Sequence, residues 1–241
     1  MSNYIYDKNI WITGASSGIG FELAKNLSKT KCNLLLSSKN SEKLVRIATT
    51  MMENAKVYAF PVDVADTVAV NDTFEFMTNE VGYPNILINN AGVYIGKPFL
   101  ETTMEDFDKQ ININLKGYFN TTRAVLPAMI ELRDGAIVNI ISVTAKESFK
   151  NCAVYSASKA AVLSLMNSVR EEVREHNIKI INIIPGAVAT NIWDEAVLKR
   201  FKNKMSTPND IAKVIEGALQ MCSSETSMVE NIIVKPQTGN L

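Results

Sequence analysis

An α/β fold of three layers, with a doubly wound, seven-stranded parallel sheet between helices, is predicted by three observations on this 241-residue chain. Short apolar runs alternate with longer segments of helical period, the signature of repeated βα units. Several of those runs are unbroken rather than alternating, such as Ile137-Val138-Asn139-Ile140-Ile141 and Ile178-Lys179-Ile180-Ile181-Asn182-Ile183-Ile184. Strands covered by helices on both faces read this way. No composition shift, low-complexity linker or internal repeat divides the chain, which predicts one domain over 1–241.

The elements follow in order. A first strand, Asn9 to Ile12, leads into a helix near 18–30, carried by Phe21, Leu23, Ala24 and Leu27. Strand Asn33 to Ser37 precedes a helix near 41–54, and strand Lys56 to Phe60 a helix near 66–81. Strand Asn85 to Ile88 is followed by a long helical pattern over 103–132, which Pro127 should bend or interrupt because proline removes a donor and crowds the preceding turn. Strand Ala136 to Ile141 and a helix near 152–176 come next, with His176 at the helix end among Arg174, Glu175 and Asn177, the place of a solvated residue. Strand Ile178 to Ile184, a segment over 191–207 read as a substrate lid, a helix near 208–222 and strand Val229 to Val234 complete the chain. Pro208 suits the first helical turn.

Lys plus Arg balance Asp plus Glu, 25 against 25, so there is no general electrostatic reason to bind nucleic acid or an anionic membrane. No signal peptide and no uninterrupted apolar run of ~18 residues is read, so a soluble, cytoplasmic protein is expected. Cys32, Cys152 and Cys222 are scattered, which suggests neither a disulfide framework nor a metal site.

Chemistry first shows between the first strand and first helix, in Thr13-Gly14-Ala15-Ser16-Ser17-Gly18-Ile19-Gly20. Glycines allow a tight turn and close approach of backbone to a pyrophosphate, and a helix N-terminus offers unpaired N–H groups. The spacing is G-x-x-x-G-x-G, in the position of a Rossmann-type dinucleotide turn. At the end of the second strand, where a carboxylate would suit the ribose 2′-hydroxyl of NAD, stand Ser38 and Lys39; Glu42 fits the first turn of the next helix better. A cation there suits a 2′-phosphate, so NADP(H) is expected over NAD(H), with Lys39 as an ordinary solvated lysine the alternative.

Farther on, Tyr155 and Lys159 lie one helical turn apart on one face. A free phenol has a pKa of ~10, and a cation beside it should lower that value toward a usable acid/base. Ser142 lies thirteen residues before Tyr155.

In sum these motifs resemble the short-chain dehydrogenase/reductases in their single-domain branch. The resemblance extends through Asp63-Val64, Asn89-Asn90-Ala91-Gly92, Asn112-Ile113-Asn114-Leu115-Lys116-Gly117, Ser142, Tyr155, Lys159, Pro185-Gly186, Val188 and Thr190 in the family's order. It implies that Gly14, Ser16, Ser17, Gly18, Ile19 and Gly20 cradle the cofactor phosphates and that Asp63 with Val64 holds the adenine. It implies further that Asn90, Ala91 and Gly92 pack along the adenosine, that Pro185, Gly186 and Val188 belong to the cofactor site, and that Thr190 bonds the nicotinamide carboxamide. Asn114, Ser142, Tyr155 and Lys159 would form the catalytic set, Asn114 by kinking its helix and anchoring a water linked to Lys159. Hydride transfer between NADP(H) and a small carbonyl or alcohol is the implied activity; a non-enzymatic NADP(H)-binding sensor or scaffold on the same fold is the alternative.

Ile141 stands where the family often has a second serine, Val143-Thr144-Ala145-Lys146 lacks its usual Ala-Gly, and the chain ends without Asp-Gly-Gly. This ending is similar to that of NADP-dependent hydroxy-acid and serine dehydrogenases. Tyr94, Val143 and Trp193, with Val197 and Phe201, are candidate substrate-pocket residues, or else merely pack the lid onto the body; Lys146 and Lys150 are candidate partners for a substrate carboxylate, or solvated. Small residues Ala157, Ala161, Ser164 and Ser168 form a stripe on the Tyr155 helix, facing either the chain's own sheet or another subunit. The resemblance implies a homodimer or homotetramer.

Overall fold

In the computed structural model, which describes residues 4–51 and 53–239, seven parallel strands form one sheet in the order β3-β2-β1-β4-β5-β6-β7. They are β1 Asn9–Thr13, β2 Asn33–Ser37, β3 Lys56–Ala59, β4 Ile86–Asn89, β5 Gly135–Ile140, β6 Ile178–Pro185 and β7 Asn231–Val234. The chain winds outward from β1 through β2 to β3, then crosses back to pair β4 with the other side of β1, Trp11 opposite Leu87. This reversal opens a crevice at the carboxyl ends of β1 and β4, where open α/β sheets bind ligands.

Alternate residues of each strand feed two cores. Ile10, Ile12, Leu34 and Leu36 pack with Leu23, Leu27 and Ile215 on one face, while Trp11, Leu35, Leu87 and Ile137 pack with Met77, Val125 and Val162 on the other. With both faces covered, neither set can be polar, which accounts for the unbroken apolar runs. Burying each such side chain fully contributes roughly 1.5–3 kcal/mol.

The apolar runs over β4 to β7 each carry an asparagine, and these stand in register. Asn89 pairs with Asn139, Asn139 with Asn182 and Asn182 with Asn231 across β4, β5, β6 and β7. Their amides form a chain: Asn89 donates to Asn139 at 3.0 Å, Asn139 to Asn182 at 3.1 Å, and Asn182 to Asn231 at 3.1 Å. Each buried amide has an amide neighbour, which is how polar groups persist inside an apolar sheet.

The helices are α1 Gly18–Leu27, α2 Ser41–Thr50, α3 Thr67–Glu80, α4 Met104–Ile111, α5 Gly117–Leu132, α6 Ala153–Val173, α7 Glu195–Phe201 and α8 Pro208–Gln220. Side chains of Asn40, Asp66 and Thr207 cap α2, α3 and α8, and Pro208 takes the first turn of α8. The expected helix over 41–54 ends at Thr50, and its residue Met52 lies outside the described residues, as do 1–3 and 240–241 of the expected domain. The last expected strand begins at Asn231, not Val229.

One expectation is corrected. The 103–132 pattern is not broken at Pro127, which lies inside a continuous α5; it is broken by a π-turn over Asn112–Lys116 between α4 and α5. Proline removes one main-chain bond, whereas the wider turn re-phases every side chain after it. The small-residue stripe of α6 faces away from the sheet, with Ala157, Ser164 and Ser168 exposed. Among the described residues no helix is long and apolar enough to cross a membrane.

Candidate functional site

A cleft of about 1070 Å³ follows the carboxyl ends of the strands and unites almost all the predicted site residues. At one end is the glycine turn, where Gly14 (φ +64°) and Gly18 (φ +59°) adopt the left-handed conformation that side chains resist. A Cβ on Gly14 would lie 2.9 Å from the Ala91 Cα, so the absence of a side chain is required by the backbone packed behind it. Ser17 precedes α1 without capping it, which leaves the first N–H groups of a ten-residue helix free of a side-chain cap beside Gly14, Ser16, Gly18 and Ile19 of the cleft wall. Gly20 is different. It does not line the cleft, and its Cβ would meet the Asn90 amide at 2.5 Å, so the absence of a side chain there serves the close packing of helix and turn.

Asn90 and Thr13 tie the turn to the end of β4. The Asn90 amide donates to the Thr13 and Gly14 carbonyls at 2.9 and 3.2 Å, and the Thr13 hydroxyl accepts from the Asn90 and Ala91 N–H groups at 3.0 and 3.1 Å. Thr13, which a bare glycine pattern does not single out, thus fixes two of the predicted cofactor residues. Gly92 continues the wall.

Ser38, Lys39, Asp63 and Val64 line the same end of the sequence-predicted cofactor path. Lys39, 80% exposed at its side chain, pairs with Asp63 at 2.8 Å. The Asp63 hydrogen bond holds the Lys39 ammonium above its usual value. Burial works to raise Asp63, but hydrogen bonds from Lys39 and the Ala65 N–H outweigh it and hold the carboxyl below its usual range. The residue expected to meet a 2′-phosphate and the one expected to meet adenine are therefore bonded to each other.

At the other end, Ser142 follows β5, and Tyr155 and Lys159 project from the first turns of α6. The Ser142 hydroxyl accepts from the Thr144 N–H at 3.2 Å and from the Thr144 hydroxyl at 3.0 Å, and it lines the cleft with Tyr155. Lys159, 3% exposed, donates to the Ile140 carbonyl at 2.8 Å and to the Tyr118 hydroxyl at 3.3 Å, and its Nζ lies 5.9 Å from the Tyr155 ring centroid. The expected depression of the Tyr155 pKa is not found. Desolvation pushes the phenol up to about 12, and Ser142 opposes this only in part. Desolvation likewise brings Lys159 down to about 7, which weakens the very charge that was to lower Tyr155.

Asn114 sits at the centre of the π-turn, buried, and does not line the cleft. Its amide accepts from the Val93 N–H at 2.8 Å and donates to the Val93 carbonyl at 2.9 Å and to the Ser158 hydroxyl at 3.1 Å. Ser158 in turn donates to the Tyr155 carbonyl at 2.7 Å. Asn114 therefore clasps the loop after β4, at Val93, to the helix of Tyr155. Tyr118 and Ser158 were invisible as site residues in the sequence, because neither belongs to a spaced pattern; only their contacts with Asn114 and Lys159 mark them.

Val143, Tyr94 and Trp193 line the cleft around Tyr155, as do Phe149, Val197 and Phe201. The Tyr94 ring stands edge-on to Tyr155 at 5.1 Å and tilted toward Trp193 at 5.4 Å, and its hydroxyl lies 3.4 Å from the Cys152 thiol. The Trp193 indole donates to the Val188 carbonyl at 2.9 Å, so the segment before α7 is anchored to the wall that Pro185, Gly186, Val188 and Thr190 form. Lys150 also lines the cleft; Lys146 does not.

The family model for short chain dehydrogenases matches residues 8–200. An uncharacterized oxidoreductase of Staphylococcus aureus is 32% identical over 230 residues, 95% of this chain and 97% of its own. A serine dehydrogenase, solved in a closed form with NADP+, superposes with a TM-score of 0.89 at 25% identity, over 97% of this chain and 96% of its own. A metagenomic short-chain oxidoreductase solved with NADP gives a TM-score of 0.81 at 28% identity, over 97% and 99%.

Proposed function

The chain belongs to the short-chain dehydrogenase/reductase family, and we propose that within it this protein transfers hydride between NADP(H) and a small carbonyl or alcohol substrate, with Tyr155 as the acid/base. The observation that carries this reading is that Ser142, Tyr155 and Lys159 line one continuous cleft with the glycine turn, the Lys159 Nζ 5.9 Å from the Tyr155 ring centroid.

The residues present fit such a cofactor. Gly14 and Gly18 leave a cradle that a Cβ would fill, and the uncapped start of α1 faces it. In this reading the turn holds the pyrophosphate, and Asn90, Ala91, Gly92 and Val64 line the adenosine path. Pro185, Gly186, Val188 and Thr190 hold the nicotinamide end. Lys39 exchanges its Asp63 partner for the 2′-phosphate, and the NADP bound by the serine dehydrogenase and the metagenomic oxidoreductase supports that choice. Bound there, the nicotinamide supplies hydride transfer at the substrate carbon.

Everything else falls to the chain. Ser142 orients the substrate oxygen by hydrogen bond. Tyr155, with a pKa of about 12, keeps its proton through the neutral range, and that is the form that donates as the oxygen gains charge. Lys159 supplies the nearest ammonium. Asn114 and Ser158 hold α6, and with it Tyr155, against the loop after β4. The segment 191–207 acts as a lid, with Trp193, Val197 and Phe201 excluding water above Tyr94 and Val143. We extend the reading to a single 1–241 domain working as a cytoplasmic homodimer or homotetramer. The exposed small-residue stripe of α6 and three free cysteines support this extension.

A cofactor-oxidation screen with ketones, aldehydes, 3-keto esters and hydroxy acids tests the proposal. NADPH-linked turnover is expected with at least one class, and Tyr155→Phe should lower kcat by roughly 10²–10⁴-fold, the usual worth of a general acid. Full turnover by that variant would overturn the assignment of Tyr155, and tight NADPH binding without turnover across the panel would favour a sensor.

A further inference from the structure

Among the described residues the Lys159 ammonium donates hydrogen bonds to two groups, one a side chain and one a main-chain carbonyl. Its Nζ donates to the Ile140 carbonyl at 2.8 Å and to the Tyr118 hydroxyl at 3.3 Å, and the Tyr118 hydroxyl itself donates to the same Ile140 carbonyl at 2.7 Å. Nζ, phenol oxygen and carbonyl oxygen thus close a triangle in which the phenol's proton is committed and its lone pair faces the ammonium. The Tyr118 ring contributes as well, its centroid 4.9 Å from Nζ.

Tyr118 reaches this position because of the π-turn. Asn114 and Tyr118 are four residues apart, and they touch consecutive residues of α6, Asn114 the Ser158 hydroxyl and Tyr118 the Lys159 ammonium. The π-turn that separates α4 from α5 thereby seats two polar groups on α6 at once. Tyr118 is 1% exposed, and burial raises its pKa well above the usual phenol value, so the hydroxyl stays neutral and keeps its donor and acceptor roles at any working pH.

We propose that Tyr118 is a positioning residue that holds the Lys159 side chain, in its ammonium form, beneath Tyr155 by accepting a hydrogen bond from Nζ while anchored to the Ile140 carbonyl. The inference rests on the proposed oxidoreductase function for its catalytic consequence, though not for the titration of Lys159 itself. An ammonium on a residue only 3% exposed leans on the acceptors the protein supplies, and among the described residues Tyr118 is the side-chain one. The remaining ionisable groups facing this corner are Tyr155 from α6, and beyond it Cys152 from the loop before α6 and Tyr94 from the loop after β4. None of these is a carboxylate, so among the described residues no side chain supplies a countercharge, and toward Nζ the neutral Tyr118 hydroxyl acts as an acceptor only.

Tyr118→Phe keeps the ring and removes the acceptor, and Tyr118→Leu removes both. In cofactor-free protein labelled with [13Cε]lysine, Lys159 is identified as the resonance missing from Lys159→Met, and its midpoint is expected near about 7. Tyr118→Phe should move that midpoint down by at least half a unit, and Tyr118→Leu by at least as much. With a substrate from the screen, the break in the kcat/KM pH profile should move the same way, while the far-ultraviolet spectrum and thermal midpoint of Tyr118→Phe stay near those of the parent. An unmoved Lys159 midpoint in folded Tyr118→Phe overturns the inference even if the enzyme is active. A moved midpoint in a protein that turns nothing over upholds the Tyr118–Lys159 coupling and counts against the oxidoreductase reading instead.

Discussion

Asn139→Ala cuts the amide ladder of the sheet at its middle. The wild-type Asn139 amide, fully buried, accepts from Asn89 at 3.0 Å and donates to Asn182 at 3.1 Å. Asn89 would keep one partner for its amide nitrogen, the Thr122 hydroxyl at 3.1 Å, but its second N–H would face an apolar interior. The Asn182 oxygen would lose its donor altogether. A buried donor or acceptor left unpaired costs about 1–3 kcal/mol, so two of them cost about 4 kcal/mol together. For a chain of this size that is a fall in Tm of about 10 °C. Urea unfolding and calorimetry of the two proteins measure it, and Asn139→Ala/Asn182→Ala should cost less than the sum of the single variants because the second removal strands fewer groups. A loss below about 1 kcal/mol for Asn139→Ala would refute the reasoning, since water or neighbouring groups would then be satisfying the ladder without its centre.

Other outcomes follow from the site. Lys39→Ala should weaken NADPH relative to NADH about tenfold or more, as expected on loss of one charged hydrogen bond, and an unchanged ratio of kcat/KM values would remove Lys39 from 2′-phosphate recognition. Gly14→Ala puts a Cβ 2.9 Å from the Ala91 Cα at a φ of +64°, and should destabilise by about 2 kcal/mol from the left-handed backbone while raising the cofactor Kd, read by calorimetry of binding. Lys159 has a folded-state pKa depressed to about 7 from 10.5, so between those values the unfolded chain binds a proton the folded one does not. Its contribution therefore rises with pH from 7 to 10.5, by up to about 1.4 kcal/mol per unit, and is flat below. The unfolding free energy of the parent should rise relative to that of Lys159→Met from pH 7 to 8 to 9, and parallel values would contradict it.

The glycine turn, the run of strands and the Tyr155–Lys159 face were legible because each is local: a period, a spacing, a residue that alone tolerates a given φ. Pro127 misled for the same reason. Its local effect is real, but α5 absorbs it, and the break that matters at Asn112–Lys116 has no single residue to announce it. The Asn ladder was in plain view as one Asn per apolar run, yet only the strand register brings Asn89, Asn139 and Asn182 side by side.

By itself the sequence determined the fold class, the family resemblance and the residues that would share a cleft, since these rest on patterns within a few turns of chain. Tertiary structure alone decided the electrostatics. Burial, not the neighbouring cation, governs Tyr155 and Lys159, moving one up to about 12 and the other down to about 7. Lys39 meets Asp63 across 24 residues, and Lys159 meets Tyr118 across 41. Desolvation depends on everything packed around a group, and packing is set by strands and helices that only the completed fold brings together.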